Sequence, residues 1–176
     1  MDELKYPVGH YKKPAVFTKE ILSNAISVIE NFPKKIKQET ENLSDEQLDT
    51  PYRPEGWTVR QVVHHCADSH MNAFIRLKLA LSEDTPTIKP YTEALWAEMV
   101  DAKRFPVRSS FLIIEGVHAR WTVLLKSLTD VDLKRGFIHP QKKRELSLYE
   151  STDMYAWHCN HHLAHITNLK KRKGWI

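Results

Sequence analysis

Near the C-terminus the chain reads Trp157-His158-Cys159-Asn160-His161-His162-Leu163-Ala164-His165-Ile166, which holds four of its ten histidines. The flanking pattern is helical, and residues four apart lie on one helix face. His158 and His162 form one such pair, His161 and His165 another. Two imidazoles one turn apart can grip a single metal ion at bond lengths of about 2.0–2.1 Å. A third ligand must come from elsewhere, and a second cluster offers it: Val63-His64-His65-Cys66-Ala67-Asp68-Ser69-His70. The expectation is two helices brought together around a metal.

Helical phase narrows the choice. Tyr155, His158, His162, Ile166 and Leu169 fall on one stripe, so His158 and His162 point inward with core residues, while His161 and His165 lie on its shoulder. Burying two neutral imidazoles together is costly unless their nitrogens find partners, and a metal is one such partner. His64 and His65 are adjacent and cannot point the same way. His65 shares a polar face with Ser69 and Asn72, which suits a ligand whose other nitrogen needs an acceptor. Asp68, beside that face, is a candidate acceptor or proton-carrying base, the alternative being a salt-bridging surface acid. His70 is read as a surface residue, the alternative being a partner to a ligand. Cys66 and Cys159 each follow a proposed ligand by one residue, a rotation of about 100°. Both are read as buried free thiols, with a Cys ligand or an inter-helix disulfide as alternatives.

Three His ligands leave the fourth position of zinc open, as catalytic sites require, and a water held there has its pKa lowered to about 7. The chemistry is delivery of hydroxide to an electrophile. The segment His158-Cys159-Asn160-His161-His162 lacks the Glu of His-Glu-x-x-His proteases, so that class is discounted.

The elements that must position these residues are helical. Ile21, Leu22, Ala25, Ile26, Ile29, Phe32, Ile36 and Leu43 repeat at three- and four-residue spacing from Thr18 onward, interrupted at Pro33, so one long helix or two are expected. Ser44 to Gln47 and Thr58 to Gln61 have capping-box form, the second opening a helix to about Ser82. Tyr91 to Lys103 is a shorter amphipathic segment. Ser109 or Ser110 is expected to cap a helix carrying Leu112, Ile113, Val117, Trp121, Leu124, Leu125 and Leu128. Residues 129–146 suit a short hairpin or an irregular crossover. Ser147 to Glu150 is a third capping box, opening a last helix that ends near Gly174. An N-terminal arm with Leu4, Tyr6, Val8 and Tyr11 is expected to pack on the rest. Four amphipathic helices with long connections make an all-α four-helix bundle, with residues 1–176 as one domain.

Composition agrees. At 176 residues, 41% hydrophobic and 27% charged, with five Gly, the chain has the make-up of a soluble helical domain. The net charge of +4 and the basic run Lys170 to Lys173 fit a solvated helix C-terminus, favourable to its dipole. No aromatic-basic interleaving points to nucleic acid. No run approaches the ~20 apolar residues of a membrane span, and no leader segment is visible, so a cytoplasmic location is expected.

The segment Gly56-Trp57-Thr58-Val59-Arg60-Gln61-Val62-Val63-His64-His65, with Ala67-Asp68-Ser69-His70-Met71-Asn72, resembles the YfiT-type metal-dependent hydrolases of the DinB-like superfamily. Tyr6-Pro7-Val8-Gly9, Arg120-Trp121, Arg135-Gly136-Phe137 with His139-Pro140, Trp157-His158, His161-His162-Leu163-Ala164-His165-Ile166 and Gly174-Trp175 fit the same pattern. The resemblance implies a bundle with one zinc or nickel ion per chain, held by His65, His158 and His162, in a cytoplasmic homodimer. A hydrolase acting on a small molecule is the leading expectation, with Asp68 or a spare His carrying the proton. Some DinB-like relatives join a low-molecular-weight thiol to an electrophile, so a metal-dependent thiol S-transferase of the bacillithiol type is the alternative. A non-catalytic metal-binding bundle is the third. Trp57, Trp96, Trp121, Trp157 and Tyr155 are read as core rather than pocket wall.

Overall fold

The computed structural model describes residues 2–175. Nine helices and one hairpin follow along these residues: α1 (Asp2–Lys5), α2 (Lys19–Thr40), α3 (Asp45–Leu48), α4 (Val59–Ser82), α5 (Glu93–Trp96), α6 (Val100–Arg104), α7 (Arg108–Ser127), α8 (Asp130–Lys134), β1 (Gly136–His139), β2 (Arg144–Ser147) and α9 (Leu148–Lys173). The long helices α2, α4, α7 and α9 form a four-helix bundle. Within it α2 packs on α7 and α9, and α4 packs on the same two. The core between them includes Ile29, Phe32, Ile36, Val62, Val63, Ile114, Leu125, Ile166 and Leu169.

The caps explain where the helices begin. Thr58 accepts from the Gln61 amide while Gln61 returns its side-chain oxygen to the Thr58 amide, a complete capping box at the start of α4. Ser44 and Gln47 do the same for α3. At α9 only half of the expected box forms. Ser147 accepts from the Glu150 amide, but the Glu150 carboxylate turns to Arg144 and Lys13 instead. Gly174 closes α9 in the left-handed conformation, φ 65°, where glycine has no steric penalty.

The expected cap of α7 needs correction. Its N-cap is Val107, without a side-chain cap. Ser110 lies inside the helix and bonds His64, while Ser109 bonds the Pro106 carbonyl. Leu112 and Ile113, among the apolar residues of this helix, face outward. The buried face carries Ser110, His118 and Thr122 among its apolar residues, so apolarity alone does not mark it.

Helix α2 runs unbroken through Pro33. Proline has no amide hydrogen and would leave the carbonyl four residues back without its helical donor. That carbonyl belongs to Ile29, and His118 Nδ1 donates to it at 2.6 Å. The ring of α7 thus replaces the missing backbone donor.

Residues 129–146 resolve into α8 and most of an antiparallel hairpin, with Phe137 opposite Leu146 and His139 opposite Arg144. The expected segment from Tyr91 to Lys103 becomes two short helices, α5 and most of α6. The N-terminal arm lies along α9. Tyr11 Oη donates to Asp153 at 3.0 Å, and Trp157 Nε1 donates to the Gly9 carbonyl at 3.1 Å. Among the described residues no helix is long and apolar enough to cross a membrane.

Candidate metal centre

Helices α4 and α9 each deliver histidines to one place. On α4 the 100° step separates His64 from His65. His64 turns to α7 and the preceding loop, with Nδ1 2.7 Å from Ser110 Oγ and Nε2 3.0 Å from the Phe105 carbonyl. His65 turns to α9, where its Nε2 lies 3.3 Å from Nε2 of His158. His162, one turn along α9, completes the group, with ring centres 4.4 Å from His158 and 4.8 Å from His65.

A metal fits this arrangement. One potential ligand atom from each of His65, His158 and His162 lies within 4.8 Å of the others. Two nitrogens bound to zinc at about 2.05 Å and subtending a tetrahedral angle stand about 3.3 Å apart. His65 and His158 already hold that separation. The buried Nδ1 of His162, like those of His161 and His165, has no hydrogen-bond partner among the described residues. Burial holds all three rings neutral, the form that ligates. His65 is brought down to about 4 by burial, then by His161 and His165. His158 and His162 lie well below the usual imidazole range, again mainly from burial and then from each neighbouring imidazole.

His161, His162 and His165 form a second group with the same spacing, which geometry makes the poorer one. His165 uses Nε2 to donate to the Lys5 carbonyl at 3.1 Å and stacks on Tyr52, ring centres 3.9 Å apart. His161 stacks on Trp157 at 4.6 Å. Both were expected on the shoulder of the helix; the arm and the loop before α4 bury them.

A depression of about 450 Å³ opens over the first group. Its walls include Tyr6, Tyr52, Trp57 and Trp157, with Lys5, Arg53, Glu55 and Glu93 supplying charge. Trp57 and Trp157, expected in the core, line it instead. Asp68 is not among the residues that line it. Burial raises the Asp68 carboxyl to about 6, helped by Asp101 beside it. Cys66 and Cys159 are fully buried free thiols, as expected. Burial raises both thiol pKa values, so neither is poised as a thiolate.

His70 corrects the expectation of a surface residue, being wholly enclosed. Its Nε2 lies 3.1 Å from Nδ1 of His158, and its Nδ1 lies 2.8 Å from Nε2 of His118. Sequence reasoning passed over His118 entirely. Its position was nonetheless legible, because Ile114, His118, Trp121 and Leu125 follow the core spacing of α7.

A four-helix bundle with a histidine cluster that could hold a metal ion is the class that this fold and site define. The DinB superfamily model matches residues 29–166, and the chain belongs to that superfamily. It is 51% identical over 172 residues to the Bacillus subtilis (strain 168) protein named "Putative metal-dependent hydrolase YfiT", covering 98% of this chain and 97% of that one. It is 49% identical over 171 residues to a protein of the same description from Oceanobacillus iheyensis, covering 97% and 98%. The solved structure of Bacillus subtilis YfiT superposes with a TM-score of 0.96 at 50% identity, covering 99% of each chain. That protein is described as "a probable metal-dependent hydrolase with an unusual four-helix bundle topology".

Proposed function

We propose that this protein is a metal-dependent hydrolase of a small-molecule substrate, with His65, His158 and His162 holding one zinc or nickel ion per chain. The observation that carries this reading is the approach of two Nε2 atoms from different helices to 3.3 Å, the separation of two ligands on one tetrahedral ion. When bound, the ion supplies Lewis acidity and lowers the pKa of a water at its open position to about 7. The remaining work falls to the chain. The aromatic walls exclude bulk water and hold an apolar part of the substrate. Lys5 and Arg53 balance negative charge at the mouth. The proton passes to a group that lines the depression, for which Glu93 is better sited than Asp68. A cytoplasmic homodimer completes the proposal; the largely exposed Phe105, Leu112 and Val123 offer apolar surface to a second copy.

The test begins with elemental analysis of untagged protein. About one ion per chain is expected in wild type, lost in His65→Ala, His158→Ala and His162→Ala and kept in His161→Ala and His165→Ala. A panel of ester, amide and phosphoester substrates then follows, with Glu93→Gln expected to lower kcat by roughly 10²-fold or more. Metal retained in all three ligand variants would overturn the site. Consumption of an electrophile only when a low-molecular-weight thiol is present would replace hydrolysis with thiol transfer. No turnover with a filled site would leave a binding bundle.

A further inference from the structure

Three imidazoles stand in series between the core of α2 and the candidate metal centre. His118 Nδ1 is 2.6 Å from the Ile29 carbonyl, His118 Nε2 is 2.8 Å from His70 Nδ1, and His70 Nε2 is 3.1 Å from His158 Nδ1. Each contact needs one proton, and a carbonyl can only accept. His118 therefore carries its hydrogen on Nδ1. A neutral ring has one such hydrogen, so His118 Nε2 is bare and must accept. His70 then donates from Nδ1 and accepts at Nε2. His158 in turn donates from Nδ1, and its Nε2, the atom facing His65, carries no hydrogen and can accept from His65 Nε2 or bind a metal.

Neutrality follows from the surroundings. His70 and His118 are 0% and 1% exposed, and the groups acting on His70 are other imidazoles rather than carboxylates. A cation in either ring would be an uncompensated buried charge. The rings are also held in orientation. Phe32 stacks on His118 with centres 5.5 Å apart, and Trp121 and Tyr155 meet His70 edge-on. Cys159 Sγ, 4.0 Å from His70 Nε2, also meets that nitrogen on its accepting side.

We propose that His118 and His70 are positioning residues that transmit the direction of a single hydrogen bond, set by the carbonyl that Pro33 leaves free, to His158 and thereby expose its Nε2 lone pair to the metal. The backbone of α2 thus chooses the tautomer of a ligand on α9. Reversing the series would place the His158 hydrogen on Nε2, where it would block coordination. A partner on the non-ligating nitrogen also raises the basicity of the ligating one. The inference rests on the reading of His158 as a ligand, but the hydrogen-bond direction can be measured without any metal.

The experiment uses full-length protein labelled with ¹⁵N-histidine and freed of metal by chelation at pH 7.5. Long-range ¹H–¹⁵N correlation is expected to assign the Nδ1–H tautomer to His118, His70 and His158. Scalar ¹⁵N–¹⁵N couplings are expected across the His118–His70 and His70–His158 contacts. His118→Leu removes the source of direction, so His158 is expected to populate Nε2–H and its zinc affinity to fall roughly 10–100-fold. His118→Gln, whose amide can donate to the Ile29 carbonyl and accept from His70, is expected to restore both. An Nε2–H tautomer for His158 in the wild type would overturn the inference, and that measurement stands even if His118→Leu fails to fold. So would a folded His118→Leu variant with unchanged tautomer and affinity. The predicted tautomers without zinc binding would support the relay and sink the ligand reading alone.

Discussion

Acidification of the metal-free protein should begin to destabilise it near pH 6.5, above the pH at which ordinary carboxylates protonate. His118 has its pKa lowered from 6.5 to about 4 by burial, against a smaller opposing effect from the Ile29 carbonyl. His65 is likewise held at about 4. In the unfolded chain both return to about 6.5. Between pH 6.5 and 4 the unfolded state therefore binds more protons, and stability rises with pH through that window, levelling off above it. Each such ring contributes a slope of about 1.4 kcal/mol per pH unit and about 3 kcal/mol over the whole shift. His118 and His65 together would remove about 6 kcal/mol on going from pH 7 to pH 4, comparable to the total stability of a typical domain of about 5–15 kcal/mol. His70 and His162, lowered further, extend the loss toward lower pH. Urea unfolding followed by circular dichroism, in chelator at half-unit steps from pH 8 to 4, would measure the slope. His118→Leu should reduce it by about 1.4 kcal/mol per unit, whatever its effect on stability at pH 8. A stability constant from pH 7 to 5, or a slope unaltered in His118→Leu, would refute the reasoning.

The Asp68 carboxyl titrates with the opposite sign. Raised to about 6 by burial and then by Asp101, it favours the folded state at low pH and loses that contribution as pH rises through 6. Asp68→Asn should therefore stabilise the protein at pH 8, leave it unchanged near pH 3, and retain the metal; loss of metal would return Asp68 to the site. Glu150 is 1% exposed and joins the arm and hairpin to the start of α9 through Lys13, at 3.0 Å, and Arg144. Arg144 holds its pKa below the usual range. Glu150→Gln should cost about 1–3 kcal/mol in urea unfolding at pH 7 and speed proteolytic nicking of residues 6–16. A cost below about 0.5 kcal/mol would show that the arm is held by its aromatic contacts alone.

Much of the architecture was legible in local pattern. The 3.6-residue stripe through Ile26, Ile29 and Ile36 and the caps at Thr58 and Ser44 depend on neighbours within a few residues, so they are visible in a linear reading. The phase that joins His158 and His162 to Tyr155 and Ile166 is equally local. The buried face of α7 was not legible because it mixes Ser110, His118 and Thr122 with apolar side chains, and polar residues enter a core only where partners await them. Asp68 and the aromatic wall were undecidable for the same reason: which side of α4 meets α9 depends on how whole helices pack.

Pro33 marks the boundary between the two kinds of information. The sequence by itself determines that the Ile29 carbonyl loses its helical donor, because proline has no amide hydrogen. It also determines two i, i+4 histidine pairs on the last helix and a histidine pair on another. Only the tertiary structure decides that the replacement donor is His118, that His70 carries the bond onward, and that His65 rather than His64 faces His158. A hydrogen bond is satisfied within about 3 Å, and residues 29 and 118 come that close only when α2 and α7 pack.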